Sequence, residues 1–268
     1  MAPRRTGRCR PAWQAAGLAW RGLGRAAAVV LTAVLLPAAL ASTAIADEPA
    51  VPSLPPLVDG SALGNGWRVA ALPAQKPPPT RFTPETVDGR AALRMEAQAS
   101  YGNLVHEAVA GTPPRRLQWA WRLQQPNPGT DLRSKAGDDV AAKVCLSFDL
   151  PLSRLPLGER LLLQLARART GEPLPAATLC WVWGAAEATG SVVDNVFSRR
   201  VRYIVLRNAA DATGTWLDES RDIAADFVRA FGDEAAAPPP LAAVGVGADA
   251  DNTGGHSVAH VAALRFAP

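Results

Sequence analysis

Cysteine and histidine are scarce in this chain, with three of each in 268 residues. Beyond residue 46 only Cys145 and Cys180 remain, too few for a four-thiolate zinc site. His106, His256 and His260 are too scattered along the chain to nominate a metal centre. Also missing are a G-x-S-x-G elbow, an H-E-x-x-H pair, a P-loop and a dinucleotide fingerprint. The common signatures of nucleophilic, metalloprotease and nucleotide chemistry therefore have no foothold here, and no catalytic residue is nominated.

Acidic residues are absent from the first 46 positions, which carry six arginines: Arg4, Arg5, Arg8, Arg10, Arg21 and Arg25. Residues 26–41 (AAAVVLTAVLLPAALA) follow as an apolar run, and Ala44-Ile45-Ala46 fits the small-x-small rule of signal peptidase. This is an export signal, residues 1–46, with cleavage near Ala46 and a periplasmic or secreted destination. The apolar run is about 16 residues, shorter than the roughly 20 a spanning helix needs, so cleavage is favoured over anchoring and no stable anchor is expected. Arg4-Arg5 is followed by Thr6-Gly7-Arg8 rather than apolar residues, which favours general secretion over a twin-arginine route.

The signal also accounts for the charge. The whole chain is +4, but taking away the six arginines leaves 22 basic against 24 acidic residues, about −2 for residues 47–268. A basic surface for nucleic acid is thereby excluded. In an oxidising compartment Cys145 and Cys180, both in strand-like runs, form a candidate disulfide; the alternative is two buried thiols.

Residues 47–65 are proline-rich and read as an extended tail, leaving 66–268 as one domain. From about Arg90 a period of two takes over. Leu117, Trp119, Trp121 and Leu123 share one strand face; Val140, Ala142, Val144, Leu146 and Phe148 share another. Leu179–Trp183, Val201–Val205, Val244–Ala248 and Val258–Phe266 continue the pattern. Many short strands broken by turn residues read as a sandwich or barrel. Two segments break the period: 158–170, amphipathic and expected to pack on the sheet, and 221–231, with Ile223, Phe227 and Phe231 at i, i+4, i+8 before Gly232.

Polar residues cluster at strand ends. Asp249, Asp251, Asn252 and Thr253 lie in GADADNTGG, whose spacing is that of a calcium loop's opening. The twelfth position from Asp249 is His260, so an EF-hand is ruled out; Asp249 and Asp251 remain candidate calcium ligands against an Asx-rich turn. Asp138 and Asp139 precede a strand and are candidates for ligand contact, against an ion pair with Arg122 or Lys143. Adjacency in an extended chain does not make them an acid–base pair. Trp119, Trp121 and Trp181 read as core. Trp183 and Trp216 stand beside turns and are the candidates for stacking on sugar rings. Arg221 and Asp226 flank the second helix, where a salt bridge or cap is the plainer role.

The blocks LQWAWRL, KAGDDVAAKVCLSFD, LCWVWG, the run W-x-x-E-S-R-D-I-x-x-D-F-x-x-x-F-G and GADADNTGG resemble, in that order, an exported bacterial family known only as domain of unknown function 3047. The resemblance spans 66–266. It implies signature positions at Trp121, Arg122, Asp138, Asp139, Trp183, Arg221, Asp226, Asp249, Asp251, Asn252 and Thr253. It further implies a jelly-roll sandwich similar to carbohydrate-binding modules, and it includes no cysteine pair.

The expected fold is thus mainly β, a jelly-roll-like antiparallel β-sandwich with one or two packed helices. The expected function is non-catalytic binding of a glycan or other cell-envelope ligand, with no cofactor unless calcium binds. Two rivals stand beside it: a polysaccharide-acting enzyme using paired carboxylates, and a purely structural envelope protein. Oligomeric state has no signal in the sequence.

Overall fold

Alternating burial along the chain builds two stacked sheets. The computed structural model describes residues 51–70, 75–107, 111–170 and 173–268, so the export signal lies outside the described residues. The elements are β1 (Val58–Asp59), β2 (Ala62–Leu63), β3 (Trp67–Ala70), β4 (Arg81–Val87), β5 (Arg90–Gln98), β6 (Tyr101–Glu107), β7 (Arg116–Gln125), β8 (Ala142–Phe148), α1 (Leu157–Thr170), β9 (Ala177–Trp183), β10 (Val192–Asp194), β11 (Val201–Arg207), β12 (Leu217–Asp222), α2 (Ile223–Phe231), β13 (Leu241–Asp249) and β14 (His256–Ala267). One sheet has seven strands in the order β10-β11-β9-β8-β13-β6-β3, the other five in the order β12-β7-β14-β5-β4. This is a mainly β, jelly-roll-like sandwich.

Among the described residues, every pairing between these strands is antiparallel except β9 with β11. The exception has a simple cause: β10 carries the chain back along the sheet edge, antiparallel to β11, so β11 rises beside β9 in the same direction.

Between the sheets, Trp119, Trp121, Trp181 and Trp183 interleave with ring centroids 5.4–5.6 Å apart. Aromatic pairs of this kind add about 0.5–1.5 kcal/mol each beyond burial. α2 closes one end: Ile223, Phe227 and Phe231 are fully buried, and Phe227 lies 4.8 Å from Phe148. The helix starts two residues later than the sequence pattern implied, because β12 runs on to Asp222, whose carboxylate accepts the Ala225 N–H at 2.9 Å as an N-cap.

A second, smaller apolar cluster lies on the outer face of the seven-stranded sheet, where Leu132 and Val140 cover Cys180, Val182, Tyr203 and Val205. Cys145 and Cys180 face each other across β8 and β9 and are joined by a disulfide, closing a separation of 35 residues. In the chain-entropy model such a loop contributes about 3–4 kcal/mol.

Two expectations change. Residues 47–65 are not all tail: β1 and β2 form a hairpin, Leu57 is buried, and Trp67 Nε1 donates to the Pro55 carbonyl at 3.2 Å. Pro84 sits inside β4, which, as the edge of its sheet, tolerates a missing N–H. And α1 forms, but only Leu163 is buried among its leucines, while Leu157, Leu161, Leu162 and Leu165 are exposed. No described helix is long and apolar enough to cross a membrane.

Candidate functional site

β8 and β13 are neighbours, so the loop entering β8 meets the loop leaving β13. This brings together two polar clusters that are 110 or so positions apart in sequence. Gly137 is required at the entry: a Cβ there would lie 2.8 Å from the Asp131 N, whose N–H donates to the Gly137 carbonyl at 2.8 Å.

Asp139 ties the two loops. Its Oδ1 accepts from the Asn252 backbone N–H (3.1 Å) and side-chain Nδ2 (3.2 Å), its Oδ2 from the Thr253 N–H (2.8 Å) and hydroxyl (2.6 Å). The Thr253 hydroxyl oxygen in turn accepts from buried Asn127 at 2.9 Å. Asp139, Asn252 and Thr253 are thus a clasp in which both Asp139 oxygens and the Thr253 hydroxyl are engaged.

Asp249 is also spoken for. Its Oδ1 accepts the Val140 N–H at 2.6 Å, and its Oδ2 takes a hydrogen bond from the Lys143 ammonium at 2.6 Å. Burial opposes charge on Lys143, yet the Asp249 carboxylate overcomes it and holds the ammonium well above its ordinary value. Lys143 reaches this place over a glycine: a Cβ on Gly247 would lie 3.0 Å from Lys143 Cε and 2.4 Å from Asn103 Oδ1. The Lys143 Nζ also sits 4.9 Å from the centre of the Tyr101 ring.

Asp138 differs from both. It is 6% exposed; its Oδ2 accepts from Asn195 Nδ2, and its Oδ1 is buried without a hydrogen-bond partner among the described residues. Burial first, and the nearby Asp249 charge second, push its carboxyl up to about 6. Asn195 is fixed from both ends: its Oδ1 accepts the Phe197 and Ser198 N–H groups at 3.0 Å, and its Nδ2 also donates to the Tyr203 hydroxyl at 2.9 Å. Asp251, half-buried, likewise has one oxygen buried without a partner, and burial with the Asp249 and Asp139 charges raises its carboxyl. Around this core, Tyr101, Asn103, Asn195 and Asp251 are half-buried and form the rim.

The nominated residues therefore divide. Asp138, Asp139, Asp249, Asp251, Asn252 and Thr253 converge. Arg122 and Trp216 lie on the outer face of the other sheet, where the Arg122 Nε donates to the Gly214 carbonyl at 3.0 Å and the Arg90 guanidinium stands 5.1 Å over the Trp216 ring. Neither Asp138 nor Asp139 pairs with Arg122; its carboxylate neighbour is Asp88 at 3.7 Å. Arg221 and Asp226 form a salt bridge with bonds of 2.8 Å at α2, and Asp226 also accepts from Trp181 Nε1 at 2.7 Å. Trp183 is not a stacking surface: it is 1% exposed, packs 5.6 Å from Trp121, and donates to the Asn208 carbonyl. Gly184 does mark a turn, but Leu132 folds over it, with the Leu132 N–H held by the buried Glu187 carboxylate at 2.8 Å.

The geometry also turns Asp249 away from calcium, since its second oxygen already faces an ammonium. Among the described residues no group of three or more His, Cys, Asp or Glu is placed to hold a metal ion. Residues with no sequence signal of their own complete the site: Tyr101, Asn103, Asn195 and Tyr203. Lys143 had one, being the charged residue at an outward position of the apolar strand AAKVCLSF. A cavity of about 310 Å³ lies elsewhere, between the β1–β2 hairpin and β14, lined by Leu54, Leu57, Ala91, Val261 and Leu264. Arg265 is its one charged lining residue, so the titratable chemistry belongs to the Asp138 cluster.

A family model described as "Protein of unknown function (DUF3047)" matches residues 65–265. No curated protein matches the chain. Among solved structures, the xylan-binding module CBM15 is similar at 11% identity and a TM-score of 0.31, over 81% of this chain and 98% of that one. The family GH12 endoglucanase 3 of Trichoderma harzianum is similar at 12% identity and 0.36, over 82% and 98%. At such scores neither likeness bears on the site.

Proposed function

The chain belongs to the DUF3047 family, and we propose that it binds a neutral, hydroxyl-rich ligand of the glycan class on the outer face of the seven-stranded sheet, at the Asp138 cluster. The supporting observation is the Asp138 carboxyl, buried with one oxygen unpartnered inside a site whose other acids are fully engaged or held at the rim. Native structures rarely bury an acceptor without use for it. A sugar hydroxyl both donates and accepts, so it suits a site offering free acceptors on Asp138 and Asp251 beside Asn103, Asn195 and Tyr101.

Charge narrows the ligand further. Asp138, Asp249 and Asp251 surround one lysine, and that lysine is already paired with Asp249. Phosphates and acidic sugars would meet repulsion here, whereas neutral hydroxyls would not. The disulfide is in keeping with a periplasmic or secreted location. Glycan-array or polysaccharide pull-down binding by the wild-type protein, lost in Asp138→Asn and Tyr101→Ala, is the expected result; binding unaffected by either change contradicts the proposal.

A second reading, acid–base hydrolysis of a glycan, is favoured by one observation: a carboxyl near 6 is partly protonated close to neutrality and suits a general acid. Turnover on the same polysaccharides, with an acidic group whose loss above about pH 6 lowers the rate, would support it. Binding without turnover supports the first reading.

A further inference from the structure

Eight large apolar side chains are exposed among the described residues, and four of them, Leu157, Leu161, Leu162 and Leu165, stand on α1 at 47–68% exposure. At about 100° per residue, Leu157, Leu161 and Leu165 form one stripe, Leu162 widens it, and the buried Leu163 points nearly the opposite way. The helix is seated by that opposite side: Glu159 bonds the Arg200 guanidinium at 2.5 Å, and Arg167 donates to the Leu174 carbonyl at 2.8 Å. The leucine stripe is left outside. Basic residues border it. Residues 154–169 hold Arg154, Arg160, Arg167 and Arg169 against Glu159 alone, and Arg154, Arg160 and Arg169 carry no ion pair among the described residues.

We propose that the leucine face of α1 lies on an anionic lipid surface, holding the domain at the membrane periphery. An apolar stripe edged by unpaired arginines matches an interface with apolar chains beneath and negative headgroups beside it. A second copy of the chain is a poorer occupant, because a two-fold contact through this face would set the basic edges of the two helices against each other with no acidic partner there. The attraction is local to α1, since residues 47–268 are slightly acidic as a whole.

The test is co-sedimentation of the full chain with vesicles of mixed phosphatidylglycerol and phosphatidylcholine, and with phosphatidylcholine alone. Leu161→Gln/Leu165→Gln and Arg160→Gln/Arg169→Gln are compared with wild type, so that the basic leading segment is common to all. The four side chains are at most half-buried, and near-ultraviolet circular dichroism checks that each variant is folded. The expected result is anionic-vesicle binding about tenfold weaker in the leucine variant. The arginine variant should be several-fold weaker with its salt dependence flattened. Equal binding of all three proteins overturns the proposal. So does indifference to lipid charge, or a wild-type dimer dissolved by the leucine variant while vesicle binding is unchanged.

Discussion

The Lys143 ammonium stands 2.6 Å from the Asp249 carboxylate, and both side chains are about 95% buried. Such a pair contributes little on balance, but breaking it leaves a lone charge in an apolar place. Lys143→Met should therefore destabilise the fold by about 3–5 kcal/mol in urea unfolding, and Lys143→Met/Asp249→Asn should recover most of that loss. A double variant no better than the single one would mean that Lys143 holds more than Asp249.

Asp138 should behave in the opposite sense. Its carboxyl titrates near 3.8 when unfolded and near 6 when folded. Below the first value both states are protonated and its contribution is at its best. As pH rises from about 4 to 6 the unfolded chain loses its proton first, so stability falls, and above about 6 the full penalty is present. Asp138→Asn should then be roughly as stable as wild type at pH 4 and more stable at pH 8, by about 1–2 kcal/mol once solvent screening is allowed for. Asn can still accept from Asn195. Loss of stability at pH 8 would make Asp138 a structural acid.

Calcium is not expected to matter. Millimolar calcium should leave the melting temperature where a chelator leaves it, because the Asp249 oxygens are held by Val140 and Lys143. A rise of several degrees would show a site assembled from other oxygens.

The two tryptophans once equal in sequence should part company. Trp183→Ala should cost about 3–5 kcal/mol, as a large core truncation does. Trp216→Ala removes contacts with Arg90 and His260 on the far sheet, so ligand binding at the Asp138 cluster should be unchanged. Binding lost in Trp216→Ala with the fold intact would move the site to that face.

Much of the scaffold was legible in the sequence where burial enforces alternation. β7, β8, β9, β11, β13 and β14 carry apolar residues at every second position, and α2 carries them at helical spacing. The edges were less so: β4 holds Pro84, and β12 reads LDESRD, because a strand facing solvent is not obliged to alternate cleanly. The site was legible as two polar clusters at strand ends, but not as one place. Their meeting depends on β8 pairing with β13, a contact across about a hundred residues that no local pattern encodes. Trp183 was misjudged for a related reason. The turn signal at Gly184 was real, yet the segment around Leu132 covers that turn from far away in sequence.

Glycan binding by wild type and Asp138→Asn, measured side by side at pH 8 on a polysaccharide panel with unfolding curves of the same samples, tests the central claim most directly. Asp138 as a ligand-facing acid predicts a variant that is more stable and at least about tenfold weaker in binding, the exchange of stability for function expected at a site. A variant that binds as wild type does, or that loses binding only because it unfolds, would contradict it.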